Sequence, residues 1–168
     1  METGLVLALP GLDPALRRWR KHDPAARAGM PAHVTLIYPF MDSRAVDEIA
    51  RARMRGALTP FGPIELRFER LGGFPGGVWL EPAEPGPIVR LIEALAAAFP
   101  DHPPYGGAYE TVIPHLTIAQ GPAALVARMG REAPKALPLS ARAEAVSLYG
   151  RSDDGWIPLE SFALVGRG

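Results

Sequence analysis

The chain has 168 residues, enough for one domain of ordinary size that buries about two-thirds of the surface its unfolded chain would expose. Eighteen Lys and Arg stand against 18 Asp and Glu, so the formal net charge is zero and the long-range positive field of a protein that grips long DNA is missing. The chain contains no Cys, which excludes a disulfide framework, a thiolate zinc site, an iron–sulfur cluster and a cysteine nucleophile together.

The apolar run that ends at Leu9 follows Glu2, an acidic residue where a secretion signal needs positive charge. The later stretch Leu91 to Phe99 is interrupted by Glu93 and falls well short of the about 20 residues that cross a bilayer. A soluble, cytoplasmic, monomeric protein is expected. Its 19 Pro and 18 Gly are spread along the chain as punctuation between apolar runs, a pattern of loops and caps rather than of disorder.

Leu5 to Leu9 reads as a strand, and Asp13-Pro14 supplies an N-cap and a first-turn proline for a helix reaching about His22, ended by Asp23-Pro24. Val34 to Tyr38, β-branched and bounded by Pro31 and Pro39, reads as a buried strand, after which Ser43 caps a helix to about Gly56. Ile64 to Glu69 alternates apolar and polar; turns at Gly72-Gly73 and Gly76-Gly77 lead to a strand from Val78 to Leu80. Gly86-Pro87 opens a helix to Phe99 with Ile88, Leu91, Ile92 and Leu95 at helical spacing, and a Pro, Gly and Tyr loop runs to about Gly107. Leu116 to Ala119 is a further strand, and Pro122 opens a helix to about Arg131. Strands at about Leu139 to Tyr149 and Trp156 to Val165 then flank a Ser152-Asp153-Asp154-Gly155 turn. The order is β-α-β-α-β twice, with one strand more, and each half carries a His-bearing strand between two helices. The expected fold is α+β and bilobal: duplicated β-α-β-α-β units with pseudo-twofold symmetry, antiparallel-rich sheets around a central cleft, and helices outside. A single domain over 1–168 is expected, with repeats at about 4–70 and 77–149 and a last strand at about 156–165.

Two matching tetrapeptides carry the chemistry, His33-Val34-Thr35-Leu36 and His115-Leu116-Thr117-Ile118. Alternate side chains of a strand share a face, so each motif presents an imidazole and a hydroxyl together while its apolar pair enters the core. Their Cα atoms lie about 6 to 7 Å apart, within reach of different oxygens of one phosphate. Two histidines flanking a phosphorus suit a phosphodiester displacement, in which one withdraws a proton from the attacking oxygen and the other delivers one to the leaving oxygen. The Thr hydroxyls can donate to the non-bridging oxygens. A zinc site would want a third His or a carboxylate at ligand spacing, which neither motif contains, so no metal and no cofactor are expected.

The segments Pro31-Ala32-His33-Val34-Thr35-Leu36-Ile37-Tyr38-Pro39-Phe40 and Ile113-Pro114-His115-Leu116-Thr117-Ile118-Ala119, with Phe74-Pro75-Gly76-Gly77-Val78-Trp79-Leu80 between them, resemble the 2H phosphoesterase superfamily and within it the bacterial 2′-5′ RNA ligase group. The resemblance covers nearly the whole chain. It implies a bilobal fold with both motifs lining the cleft, and metal-independent cleavage of 2′,3′-cyclic phosphates or 2′-5′ linkages of RNA or nucleotides. His33 and His115 would be the acid/base pair, and Thr35 and Thr117 the phosphate donors. The substrate implied is an RNA end or a cyclic nucleotide; the alternative is a non-catalytic module that binds a nucleotide or RNA end in the same cleft.

Phe40, Tyr105 and Tyr109 are aromatics able to stack on a base, against which stands simple core or loop packing. Arg151 lies just past a strand where it could reach a phosphate. His22 ends the basic stretch Arg17-Arg18-Trp19-Arg20-Lys21-His22, which reads as a solvated helix face or as an RNA-backbone contact. His102 reads as an exposed loop residue, and Arg51-Ala52-Arg53-Met54-Arg55 as the wet side of a helix.

Overall fold

Six residues, Thr3–Ala8, form strand β1, and nearly all of them are buried, as befits a strand covered on both faces and paired on both edges. The structure is a computed structural model and describes residues 1–166 of the chain. The chain continues through α1 (Asp13–Arg20), α2 (Pro24–Arg27), β2 (His33–Ile37), α3 (Glu48–Leu58), β3 (Ile64–Phe74), β4 (Gly77–Pro82) and α4 (Gly86–Ala98). It ends with β5 (Leu116–Gln120), α5 (Ala123–Glu132), β6 (Leu139–Ala143), β7 (Ala145–Ser152) and β8 (Gly155–Ala163). Two four-stranded sheets result, in the orders β2-β1-β7-β8 and β5-β4-β3-β6, with every pairing antiparallel. The α+β class and the doubling expected from the sequence are both present. In each sheet the strand of the His-x-Thr motif, β2 or β5, stands at one edge, beside the strand that precedes it in the chain.

The two sheets do not coincide with the halves at 4–70 and 77–149. β3 pairs with β4 and β6, so it lies in the second sheet, and β7 returns to pair with β1 in the first. The expected strand from Leu139 to Tyr149 is accordingly two strands in two sheets, broken at Glu144. Alternation of apolar residues does not reveal such a crossing, because each short piece keeps its own period of two.

Other boundaries move for local reasons. Asp47 rather than Ser43 caps α3, its carboxylate accepting the Ala50 N–H at 2.8 Å, while Ser43–Ala45 forms a separate 3-10 turn behind Asp42. Asp23-Pro24 ends α1 by starting α2, with the Asp23 side chain accepting the Ala25 N–H at 3.1 Å. Gly72 and Gly73 lie inside β3; a Cβ on Gly72 would strike the Trp79 ring and the Glu81 carboxylate across the ladder. The turn is Pro75-Gly76, with Gly76 at φ +84.

Val34 and Leu36 of β2, Leu116 and Ile118 of β5, and Ile88, Leu91, Ile92 and Leu95 of α4 all enter one continuous core. β2 and β5 pack against each other where the sheets meet, with α4 lying on β2 and α1 on β5. Each sheet's His strand is thus covered by a helix from the opposite half of the chain. Leu91, fully buried in α4, marks the centre of this packing, whereas Ile49 on α3 is 69% exposed. Leu91→Ala is expected to cost about 2 to 5 kcal/mol in urea unfolding, and Ile49→Ala no more than about 0.5 kcal/mol.

Candidate active site

His33 opens β2 and His115 immediately precedes β5, each just after a proline-bearing segment outside the ladder. In both, the ring turns back on its own chain: His33 Nδ1–H donates to the Pro31 carbonyl at 2.8 Å, and His115 Nδ1–H donates to the Ile113 carbonyl at 2.7 Å. A carbonyl only accepts, so Nδ1 carries the proton in each ring and Nε2 is left to take or give one. The same tautomer is therefore imposed twice, by the same bond to the residue two positions back.

The packing of β2 against β5 brings the two motifs together, and the charge of His115 is felt at His33. Burial lowers the His33 pKa from 6.5 to about 4; the Pro31 carbonyl opposes the fall, the Arg20 and His115 charges add to it, and Asp13 opposes it. Burial also lowers the His115 pKa, against the pull of the Ile113 carbonyl. Thr35 and Thr117 are half-buried between fully buried neighbours on their strands, as the alternation requires. Thr117 stands opposite Trp79 of β4 in the ladder.

The surroundings of the two rings differ. Trp79 lies over the His115 imidazole, centroids 4.3 Å apart and planes 31° apart, and Phe74 extends the aromatic surface at 5.5 Å from Trp79. With Tyr105 and Tyr109 they line a cleft of about 420 Å³ that opens on His115. The two tyrosines meet edge to face at 5.7 Å, and Tyr105 holds the left-handed region at φ 52. That conformation is uncommon for a residue with a side chain and is found disproportionately at functional sites. Trp79 and Phe74 were not legible as site residues, because their place depends on the β4–β5 register and on the depth of the β3–β4 hairpin.

Behind His33 sits a buried ionic cluster instead. Asp13 Oδ1 accepts both the Ala32 N–H at 2.9 Å and an Arg20 N–H at 2.6 Å, and the other terminal nitrogen of Arg20 donates to the Met30 carbonyl at 2.8 Å. Asp23, 1% exposed, lies 3.6 Å from Arg20, and its burial pushes its pKa up despite that guanidinium. The backbone from Met30 to Ala32, which carries the carbonyl that orients His33, is thereby pinned to α1. Arg20 is thus a buried structural cation and not part of a solvated helix face.

The remaining candidates are placed as follows. Phe40 is 7% exposed, its ring edge to face with Phe99 at 5.1 Å and with His102 at 5.5 Å, so it belongs to the core and offers no stacking surface. His102 is correspondingly packed rather than free in its loop. Arg151 lies over Trp156 at 5.9 Å and beside the Tyr38 hydroxyl, at the far end of β2 from His33, and is not brought to the motifs. The His22 carbonyl accepts the Gln120 N–H, and its ring lies 3.4 Å from Arg128. Arg51 bridges Glu48 and Glu160 and Arg53 lies over Phe99, so that helix face is only partly wet. Among the described residues no group of three or more His, Asp or Glu is placed to hold a metal ion, and no helix is long and apolar enough to cross a membrane.

The fold has counterparts among known proteins. The chain belongs to the 2′-5′ RNA ligase superfamily, whose family model matches residues 9–155. Among solved structures it is similar to TT0787 of Thermus thermophilus, at 20% identity, TM-score 0.68 and full coverage of both chains at 100%. It is also similar to E. coli LigT complexed with 3′-AMP, at 17% identity and TM-score 0.62, with 98% of each chain covered. A structure described as a phosphoesterase matches at 18% identity and TM-score 0.61, again with 98% of each chain covered. No curated protein sequence matches the chain.

The depressed His33 pKa has a consequence for stability. Between pH 6.5 and about 4 the unfolded chain's imidazole takes up a proton that the folded one refuses, so stability falls as the pH falls through that window. Urea unfolding at pH 7 and pH 4.5 should show wild type losing up to about 3 kcal/mol more than His33→Gln, which does not titrate.

Proposed function

We propose that the protein is a phosphoesterase that hydrolyses 2′,3′-cyclic phosphates or 2′-5′ phosphodiester linkages of RNA ends or nucleotides, working as a cytoplasmic monomer. The observation that carries this reading is the repeated Nδ1 bond, which leaves two imidazole Nε2 atoms of fixed tautomer on adjoining strands. One Nε2 takes a proton from water as the water oxygen bonds to phosphorus. The other gives its proton to the ribose oxygen as the P–O bond breaks, and the product is a phosphomonoester. Thr35 and Thr117 donate to the non-bridging oxygens, on which charge changes during the displacement. Tyr105, Trp79 and Phe74 supply aromatic surface for a base beside His115. The LigT structures crystallised with 3′-AMP, ATP and NADP+ bind the nucleotide class this reading assigns as substrate.

The unequal surroundings divide the roles. His33, the more deeply enclosed, is held neutral and is the base; His115, less deeply enclosed and with its Nδ1–H bonded to the Ile113 carbonyl, is the acid. The acid must be protonated while the base is not, so kcat/KM should follow a bell. Because burial lowers both free-protein values, its optimum should lie on the acid side of pH 6.5.

Each of His33→Ala and His115→Ala is expected to lower kcat on a 2′,3′-cyclic nucleotide by about 10² to 10⁴-fold, and Thr35→Val or Thr117→Val by somewhat less. A p-nitrophenyl ester, whose leaving group needs no proton, should recover much of the His115→Ala loss and none of the His33→Ala loss. EDTA should leave the wild-type rate unchanged. Nucleotide binding without turnover on any of these substrates would identify a binding module instead.

A further inference from the structure

Every hydrogen-bonding group of the backbone from Met30 to Ala32 has a partner, and two of those partners are side chains of one helix. The Met30 N–H donates to the Ala25 carbonyl at 2.9 Å, and the Ala32 carbonyl accepts the Leu9 N–H at 2.6 Å. Pro31 has no N–H, and its carbonyl accepts the His33 Nδ1–H at 2.8 Å. The two groups that remain flank Pro31 directly, and α1 serves both: Arg20 donates to the Met30 carbonyl at 2.8 Å, and Asp13 Oδ1 accepts the Ala32 N–H at 2.9 Å. Asp13 Oδ1 also takes an Arg20 N–H at 2.6 Å, so the two side chains form a single clamp.

The Ala32 N–H and the Pro31 carbonyl belong to the same planar trans peptide unit, in which N–H and C=O point in opposite directions. Asp13 therefore holds one side of that unit while the His33 ring bonds the other, and turning the unit would break both bonds at once. Stability alone does not explain such a clamp. Arg20 is 5% exposed and Asp23 beside it 1%, yet Arg20 Nε and Asp23 Oδ2 have no hydrogen-bond partner among the described residues. Burying ions so incompletely matched is costly, and apolar side chains of equal volume would avoid the cost. His115 makes the same Nδ1 bond, but its carbonyl belongs to Ile113, which is 57% exposed in the segment between α4 and β5.

We propose that Asp13 and Arg20 are positioning residues for His33: by gripping the backbone on either side of Pro31 they aim the Pro31 carbonyl, and through it they fix the tautomer and direction of the imidazole. They act through the peptide and not on the substrate. The kinetic part of the proposal rests on the phosphoesterase reading above, whereas the part that concerns the ring does not.

Removing one ion alone would strand another in the interior, so the test replaces the cluster together, as Asp13→Ala/Arg20→Met/Asp23→Asn; Asn caps a helix as well as Asp does, which keeps α2. Urea unfolding is expected to give this variant a stability equal to or above that of wild type. Imidazole nitrogen NMR spectra at pH 8, where both rings are neutral, read the tautomer of each histidine. Wild type is expected to carry the proton on Nδ1 in both motifs. In the variant the His33 signals are expected to move toward the Nε2–H tautomer while those of His115 stay in place. Turnover of a 2′,3′-cyclic nucleotide is expected to lose about 10 to 100-fold in kcat, with KM changed by no more than about twofold. Wild-type His33 signals in the folded variant, or a wild-type kcat, would overturn the proposal. Should the triple variant fail to fold, Asp13→Asn and Asp13→Ala decide between the outcomes. The Asn amide oxygen can still accept the Ala32 N–H, so Asp13→Asn is expected to keep the His33 signals that Asp13→Ala shifts, and equal spectra from the two would overturn the clamp. Absence of turnover by wild type on every cyclic phosphate and 2′-5′ linkage would instead defeat the phosphoesterase reading, and the spectra would still decide whether Asp13 and Arg20 orient the ring.

Discussion

A hydrogen bond from a histidine Nδ1–H to the carbonyl two residues earlier, made once in each lobe, is the interaction on which the site depends. It fixes which nitrogen carries the proton and turns the ring so that Nε2 faces away from its own chain. The bond needs a carbonyl that the sheet has not already taken. Pro31 lies two residues before His33 and Pro114 one residue before His115, and a proline has no N–H to give to a ladder. Each strand therefore begins only at or just after its histidine, and the carbonyls of Pro31 and Ile113 stay outside the pairing. A strand that began two residues earlier would hold its histidine in the pleat with no carbonyl to bind the ring.

Beyond that shared bond the lobes are unlike. The His33 side rests on charge: a guanidinium 5% exposed, a carboxylate serving both it and the Ala32 N–H, and a second carboxylate nearby. Burying such a group costs several kcal/mol per ion before its partners repay part of it, so a hydrophobic cluster of equal volume would give as much stability or more. What the ions provide is direction, since Arg20 and Asp13 together bond the Met30 carbonyl and the Ala32 N–H on either side of Pro31. The His115 side rests on an aromatic face. Two imidazoles held by the same backbone bond thus sit in unlike surroundings, which is what the proposed division into one acid and one base requires.

The central pattern was open to reading because a strand's period of two is a local property. His33 and Thr35 share a face whatever the sheet does, and the same holds for Thr117 and the residues alternating with it. The helix α4 was open for the same reason, its four apolar positions repeating at helical spacing and all of them buried. Features that depend on pairing between distant segments were closed. β3 and β7 each join the sheet opposite to the half in which they were counted, and no residue within either strand encodes that choice. Phe40 looked like a stacking surface because it follows the motif strand, yet α4 ends beside it and Phe99 covers it. Arg20 looked like one cation among four, and only the return of Met30 and Ala32 past α1 distinguishes it. Ser43 against Asp47 is a different failure: both residue types cap helices, and the choice turned on an intervening non-helical residue, Val46 at φ −79 and ψ 75.

The short helix α1 ties these pieces together. No direct bond spans the two histidines, so the width of the cleft is set by what holds β2 and β5 at their distance. α1 reaches both: Asp13 at its start bonds the backbone just before His33, and its length packs on β5, the strand that carries Thr117 and follows His115. Leu16 and Trp19 face the core while Arg20 faces the Pro31 segment, so one helix of eight residues presents an apolar side to one lobe and an ionic side to the other. α4 makes the reciprocal contact on β2. Because each lobe's reactive strand is gripped by a helix of the other half, neither histidine can move without moving a packed helix, and close-packed interiors resist such displacement. The separation on which a two-histidine displacement depends is therefore a property of the whole interlocked core, although the chemistry itself occupies two short strands.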